Sequence, residues 1–118
     1  LLRRAEDAQD GDGLREMFEN IRFSLLSECE KNINMTEKAT ELCMSKTKFY
    51  ELYKKYFGIS PKRDVLNARM EKAAFLLTSE NVTVKEAACA VGFANIEHFC
   101  RYYKQHYGFT PKKRTKHQ

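Results

Sequence analysis

Apolar residues recur along this chain at three- and four-residue steps, in stretches punctuated by Gly, Asn and Pro, a pattern that predicts helix throughout. Leu14, Met17, Phe18, Ile21, Leu25 and Cys29 form one stripe, so an amphipathic helix is expected from 14 to about 31. A short helix follows from an Asn34 cap to Leu42, with Glu37 placed to satisfy the exposed amides of its first turn. Ser45 caps a helix that ends near Phe57, and Gly58 supplies a left-handed stop. Ser60-Pro61 opens a longer helix to 78, because proline at the first helical position gives up only an amide that lacks a partner anyway. Its apolar stripe is Leu66, Met70, Ala73 and Leu77, with Val65 and Leu76 beside it. Thr83 then caps a helix to Val91, Gly92 makes a turn, and Asn95 caps a helix to Tyr107. Gly108 ends that helix before Thr110-Pro111 begins a last short turn.

The predicted elements repeat. Phe49, Tyr53, Lys54, Gly58, Pro61 and Lys62 recur at an offset of 50 as Phe99, Tyr103, Lys104, Gly108, Pro111 and Lys112. Upstream, the starts Asn34/Glu37 and Thr83/Glu86 and the small residues Ala39 and Ala88 match at 49, so one copy has a turn longer by one residue. Each copy is a short helix, a tight turn and a longer helix, and duplication of such a unit suits a partner that itself repeats.

On the longer helices the same periodicity sorts residues by face. Phe49, Leu52, Tyr53 and Phe57 turn inward in the first, leaving Lys46, Thr47, Lys48, Tyr50, Glu51, Lys54 and Lys55 outside. In the second, Phe99, Tyr102 or Tyr103, and Tyr107 turn inward, leaving Ile96, Glu97, His98, Arg101, Lys104 and Gln105. Each outer face mixes cations with directed hydrogen-bonding groups, which suits a helix entering a major groove by its N-terminal turns. For one isolated helix, an ordinary solvated face with core aromatics is the favoured reading; the duplication weighs against it. A connecting helix from 61 to 78 would be about 27 Å long, near the roughly 34 Å between successive major-groove faces on one side of B-DNA.

Charge supports the same partner. The net charge is +5, of which residues to 34 contribute −3 and the remainder +8, so the duplicated part is the basic part. Four of those cations, Lys112, Lys113, Arg114 and Lys116, lie in a C-terminal tail. No apolar run reaches the roughly 18 residues that span a bilayer, and nothing at the N-terminus reads as a signal peptide. The 118 residues suffice for one or two small cores. Residues 1–13, with Ala5-Glu6-Asp7-Ala8 and Gly11-Asp12-Gly13, read as the end of a linker, and the first residue, Leu1, suggests a fragment. Cys29, Cys43, Cys89 and Cys100 show no metal-ligand or disulfide spacing. Cys43, Cys89 and Cys100 are expected as semi-buried core residues. His98, His106 and His117 lack suitably spaced acidic or cysteine partners, and no catalytic constellation, metal site or cofactor site is expected.

From Asn34 to Pro111 the chain resembles the DNA-binding domain of the AraC/XylS family of bacterial transcription regulators. The resemblance rests on Lys85-Glu86-Ala87-Ala88, Val91-Gly92-Phe93, Phe99-Cys100-Arg101-Tyr102-Tyr103-Lys104 and Gly108-Phe109-Thr110-Pro111, with Pro61, Arg69, Ala73, Leu76 and Leu77 in the connecting helix. It implies an all-α fold of about seven helices, with two homeodomain-like helix-turn-helix subdomains joined by a long linker helix. The expected divisions are a linker remnant at 1–13, a first unit at 14–60, a connecting helix at 61–79, a second unit at 80–114 and a basic tail at 115–118. By position, Thr47, Tyr50 and Glu51 in the first unit and Ile96, Glu97, His98 and Arg101 in the second would face bases. Ser45, Lys46, Lys48, Lys54, Asn95 and Lys104 complete the expected contact set.

The implied partners are double-stranded promoter DNA, RNA polymerase and an effector-binding or dimerising domain preceding Leu1; the implied location is the cytoplasm, with the nucleoid. Cys43 stands where the family often has Gly, Lys38 and Ala87 replace larger apolar residues, and Glu51 replaces a basic residue. A carboxylate at Glu51 repels phosphate but can accept from a cytosine amino group. Two other classes compete: a helical protein-interaction module, favoured by Glu51 and Ile96, and the regulatory part of an enzyme, whose chemistry would have to lie upstream of Leu1.

Overall fold

The computed structural model describes residues 13–111. Within them the chain forms α1 (Arg15–Ser27), α2 (Met35–Glu41), α3 (Lys46–Phe57), α4 (Pro61–Ser79), α5 (Val84–Ala90) and α6 (Ile96–Tyr107). Six helices thus stand where about seven were expected; the turn opening at Pro111 runs into residues outside the described range, as do most of the expected linker and the basic tail. The helices fall into two compact units. The first combines the chain up to Glu28 with Ile33–Asp64, and the second combines Cys29–Asn32 with the chain from Val65 onward.

Local chemistry sets the helix starts. Asn34 Oδ1 accepts from the Thr36 and Glu37 amides at 2.9 and 3.3 Å, and Ser60 Oγ accepts from the Arg63 amide at 3.2 Å. At Thr83 the exchange is reciprocal: Thr83 Oγ1 accepts from the Glu86 amide at 3.0 Å while Glu86 accepts from the Thr83 amide at 2.9 Å. These bonds satisfy donors that no helix can satisfy from within.

In the first unit the core gathers Phe18, Ile21 and Leu25 of α1, Ala39 of α2, and Phe49 and Tyr53 of α3. Phe18 stacks on Phe49 at 5.5 Å between ring centroids and meets Tyr53 edge-on at 6.5 Å. A buried polar group joins them. Asp64 is 6% exposed, and accepts from Arg22 Nε at 2.7 Å, from Arg22 Nη2 at 3.3 Å and from the Tyr53 hydroxyl at 2.7 Å. Arg22 also covers the Phe57 ring at 4.8 Å. The hydrogen bond to Asp64 holds the guanidinium above its ordinary pKa. Burial, and then the bond to Asp64, push the Tyr53 hydroxyl upward; it therefore stays a donor throughout the working pH range.

In the second unit Met70, Ala73, Ala74 and Leu77 of α4 pack with Ala87, Ala88, Val91, Phe99 and Tyr103. The α4 stripe is thus shifted from expectation: Val65 is buried and Leu66 only half-buried. Arg69 ties the unit to the segment after α1. Its Nε donates to the Cys29 carbonyl, its Nη2 to the Lys31 carbonyl at 3.0 Å and its Nη1 to the Gly92 carbonyl at 3.5 Å, and the group lies 5.5 Å from the Phe93 ring centre. Burial lowers the guanidinium pKa from its ordinary value. α1 ends at Ser27 and does not run to Lys31, and the Cys29 and Lys31 carbonyls beyond it accept from Arg69.

The tight turns reproduce one another. Met44 N–H donates to the Ala39 carbonyl at 3.1 Å, and Phe93 N–H to that of Ala88 at 2.9 Å. Register is kept at 49 through these bonds, so the extra residue of the second copy is Ala94, between Phe93 and the Asn95 cap. Both turns pass through the left-handed region, at Cys43 (φ 57°) and Gly92 (φ 93°). A Cβ at Gly92 would collide with the Glu30 carbonyl oxygen. The cysteine expectation is corrected in the same place: Cys43 and Cys89 are exposed, Cys100 is half-buried, and Cys29 is the buried thiol. Cys43 turns outward because it occupies the turn itself.

Three outcomes follow. Cys43→Gly removes a left-handed penalty of roughly 1–2 kcal/mol and adds glycine's unfolded-state entropy, for a net stabilisation of about 0.5–1 kcal/mol in urea denaturation. Gly92→Ala, which meets backbone, costs at least about 2 kcal/mol in the same assay. Asp64→Ala strands the Tyr53 hydroxyl and Arg22 and lowers stability by about 2–3 kcal/mol. An unchanged denaturation midpoint would show that the network adds nothing.

Candidate nucleic-acid interface

The two longer helices α3 and α6 begin at capped termini and end at left-handed glycines. Ser45 Oγ accepts from the Lys48 amide at 3.1 Å; Asn95 Oδ1 accepts from the Glu97 and His98 amides at 2.8 and 3.1 Å. Gly58 and Gly108 close the far ends, their amides donating to Lys54 and Lys104 carbonyls at 2.7 Å in both copies. Ser45 and Asn95, expected as contact residues, therefore already use their side-chain oxygens inside the fold.

Each helix buries one aromatic pair completely, Phe49 with Tyr53 and Phe99 with Tyr103. This resolves the alternative at 102 and 103: Tyr103 is the core residue, and Tyr102 is half-buried. The opposite sides are open. Lys46, Thr47, Lys48, Glu51, Lys54 and Lys55 are exposed on α3, with Tyr50 half-buried beside them. Ile96, Glu97, His98, Arg101, Lys104 and Gln105 are exposed on α6. Lys46 Nζ sits 5.7 Å from the Tyr50 ring centre, and burial raises the Tyr50 pKa. None of Lys48, Glu51, Lys54, Glu97, Arg101 or Lys104 enters an ion pair among the described residues. His98, Arg101, Tyr102 and Gln105 line a shallow depression on α6; of these, Tyr102 and Gln105 stood outside the expected contact set. Gln105 was legible as an outward position, whereas Tyr102 was hidden by its ambiguity with Tyr103.

Among the described residues no helix is long and apolar enough to cross a membrane, and no group of His, Cys, Asp and Glu is placed to hold a metal ion. What the elements define is a helix-turn-helix, present twice: a short helix, a left-handed turn, and a capped second helix with one face in the core and the other open. Residues 38–117 match the helix-turn-helix domain family, and the chain belongs to it, in its AraC type.

A helix-turn-helix transcriptional regulator of Haemophilus influenzae is 28% identical over 94 residues, which cover 80% of this chain and 32% of that protein. The chain spans no more than about a third of the length of the first curated relatives it matches. A probable AraC family transcriptional regulator from Rhodopseudomonas palustris superposes with a TM-score of 0.76 at 25% identity, covering 86% of this chain and 96% of that one. The DNA-binding domain of the global transcriptional factor AdpA, solved in complex with a target DNA, shares the fold at a TM-score of 0.78 and 18% identity, covering 85% and 90%.

The caps are separable from any ligand contact. Asn95→Ala leaves two first-turn amides unpaired and lowers stability by about 1 kcal/mol without DNA present, while His98→Ala changes it by less than about 0.5 kcal/mol. Equal thermal shifts for both variants would count against the cap.

Proposed function

We propose that this chain is a sequence-specific double-stranded DNA-binding domain of a bacterial transcription regulator, acting by binding and not by catalysis. The observation that carries the reading is the pair of outward faces on α3 and α6, whose cations and hydrogen-bonding groups are not spent inside the fold. Entering a major groove by its capped N-terminal turn, each helix brings Thr47, Tyr50 and Glu51, or Ile96, Glu97, His98 and Arg101, to base edges, and its lysines to phosphates. AdpA's domain, which has this fold, was solved on a target DNA, and that partner is the one the faces here would take. Promoter DNA in the cytoplasm, contact with RNA polymerase and an effector or dimerising domain elsewhere in the protein complete the proposal.

A protein-interaction role draws on one observation, the 41% exposure of Ile96. Salt separates the two readings. Log affinity for duplex DNA falls steeply with log salt, with a slope near −0.9 for each phosphate neutralised; a flat plot supports the protein partner. Arg101→Ala loses about 1–3 kcal/mol on a cognate duplex and much less on a scrambled one. Equal losses on both would reduce Arg101 to an electrostatic role.

A further inference from the structure

Compared position by position, the two outward faces are different instruments. Where α3 carries Lys46, Thr47, Lys48 and Glu51, α6 carries Ile96, Glu97, His98 and Arg101. The exposed face of α3 holds Lys46, Lys48, Lys54 and Lys55 against Glu51 alone, whereas that of α6 sets Arg101 and Lys104 against Glu97. A lysine ammonium is a compact charge on a flexible stem with rotatable donors, well matched to phosphate oxygens, which are the same at every sequence. One of these lysines, Lys46, already rests near the Tyr50 ring.

The α6 set has the opposite character. Ile96 is exposed at the first position of the helix, where its only specific counterpart in a major groove is a thymine methyl. Glu97 accepts and never donates, so it repels phosphate and favours a cytosine amino group; Arg101 presents a fork that fits guanine O6 and N7. Ile96 and Glu97 add no general affinity for a polyanion and gain only when the right base lies opposite. The Asn95 cap fixes the first turn that carries them.

We infer that α6 reads sequence and α3 anchors: the half-site beneath α6 holds most of the base information, with thymine under Ile96 and a G·C pair under Glu97 or Arg101, while the half-site beneath α3 tolerates substitution. This rests on the DNA-binding reading above.

Selection from a random duplex pool, performed with the natural chain and three exposed-face variants, tests it. The natural chain should enrich a motif that is strong in one half and weak in the other. Ile96→Ala with Glu97→Ala should flatten the strong half and lower affinity for the selected duplex about tenfold or more, with circular dichroism unchanged. Thr47→Ala with Glu51→Ala should alter only the weak half of the motif, and by much less than the Ile96/Glu97 variant alters the strong half. Lys48→Gln, Lys54→Gln and Lys55→Gln together should weaken selected and scrambled duplexes alike and reduce the salt slope by about 2–3. If the Thr47/Glu51 variant erases as much of the motif as the Ile96/Glu97 variant, or the lysine variant loses affinity only on the selected duplex, the division of labour is wrong. A natural chain that enriches no motif overturns the DNA-binding reading itself.

Discussion

Everything the two recognition helices do depends on the complete burial of an aromatic pair one helical turn apart. Phe49 with Tyr53, and Phe99 with Tyr103, are wholly removed from solvent. Burying each such ring is worth about 2–3 kcal/mol. The greater consequence is geometric: two buried side chains at i and i+4 fix the rotation of a helix about its own axis. Once α3 and α6 cannot roll, the residues opposite the rings are committed to solvent. The capped starts and left-handed ends then set where each exposed face begins and stops.

The two units reach this result by different means. In the first, Tyr53 is held from behind by Asp64, itself neutralised by Arg22, so the ring that orients α3 is also hydrogen-bonded. At the repeat offset Asp64 corresponds to Arg114, so the second copy has a cation in the sequence where the first has a carboxylate. Its distinctive device is Arg69, which joins three carbonyls from two separate segments and covers Phe93 at the turn leading into α6. The turns differ as well. Gly92 is required twice over, by its φ and by the backbone oxygen next to it, whereas Cys43 holds a left-handed φ with an exposed side chain.

These contrasts explain what could be read from the residues alone. Helix starts at Asn34, Ser45, Thr83 and Asn95 were legible because a cap bonds to amides two or three residues away, a matter of local chemistry. The inward aromatics and the open faces of α3 and α6 were legible because helical periodicity is local too. Asp64 was not. A carboxylate in a first helical turn ordinarily faces water, and only the approach of Arg22, 42 residues distant, makes its burial favourable. Arg69 stood out through resemblance, but its partners, the Cys29 and Lys31 carbonyls, are backbone groups that carry no sequence signal. The exposure of Cys43 escaped for a local reason, since the residue stands in the left-handed turn itself, where the helical spacing does not apply.

The most direct measurement is a nitrogen-15 NMR titration of the chain with a duplex it selects, following the backbone amides of residues 13–111. The largest shifts are expected on 45–51 and 95–101, with weaker changes at 54 and 104 and little at the exposed Phe23 and Phe75. Shifts centred on Phe23 or Phe75, with α3 and α6 unaffected, would contradict the DNA-binding reading of these faces.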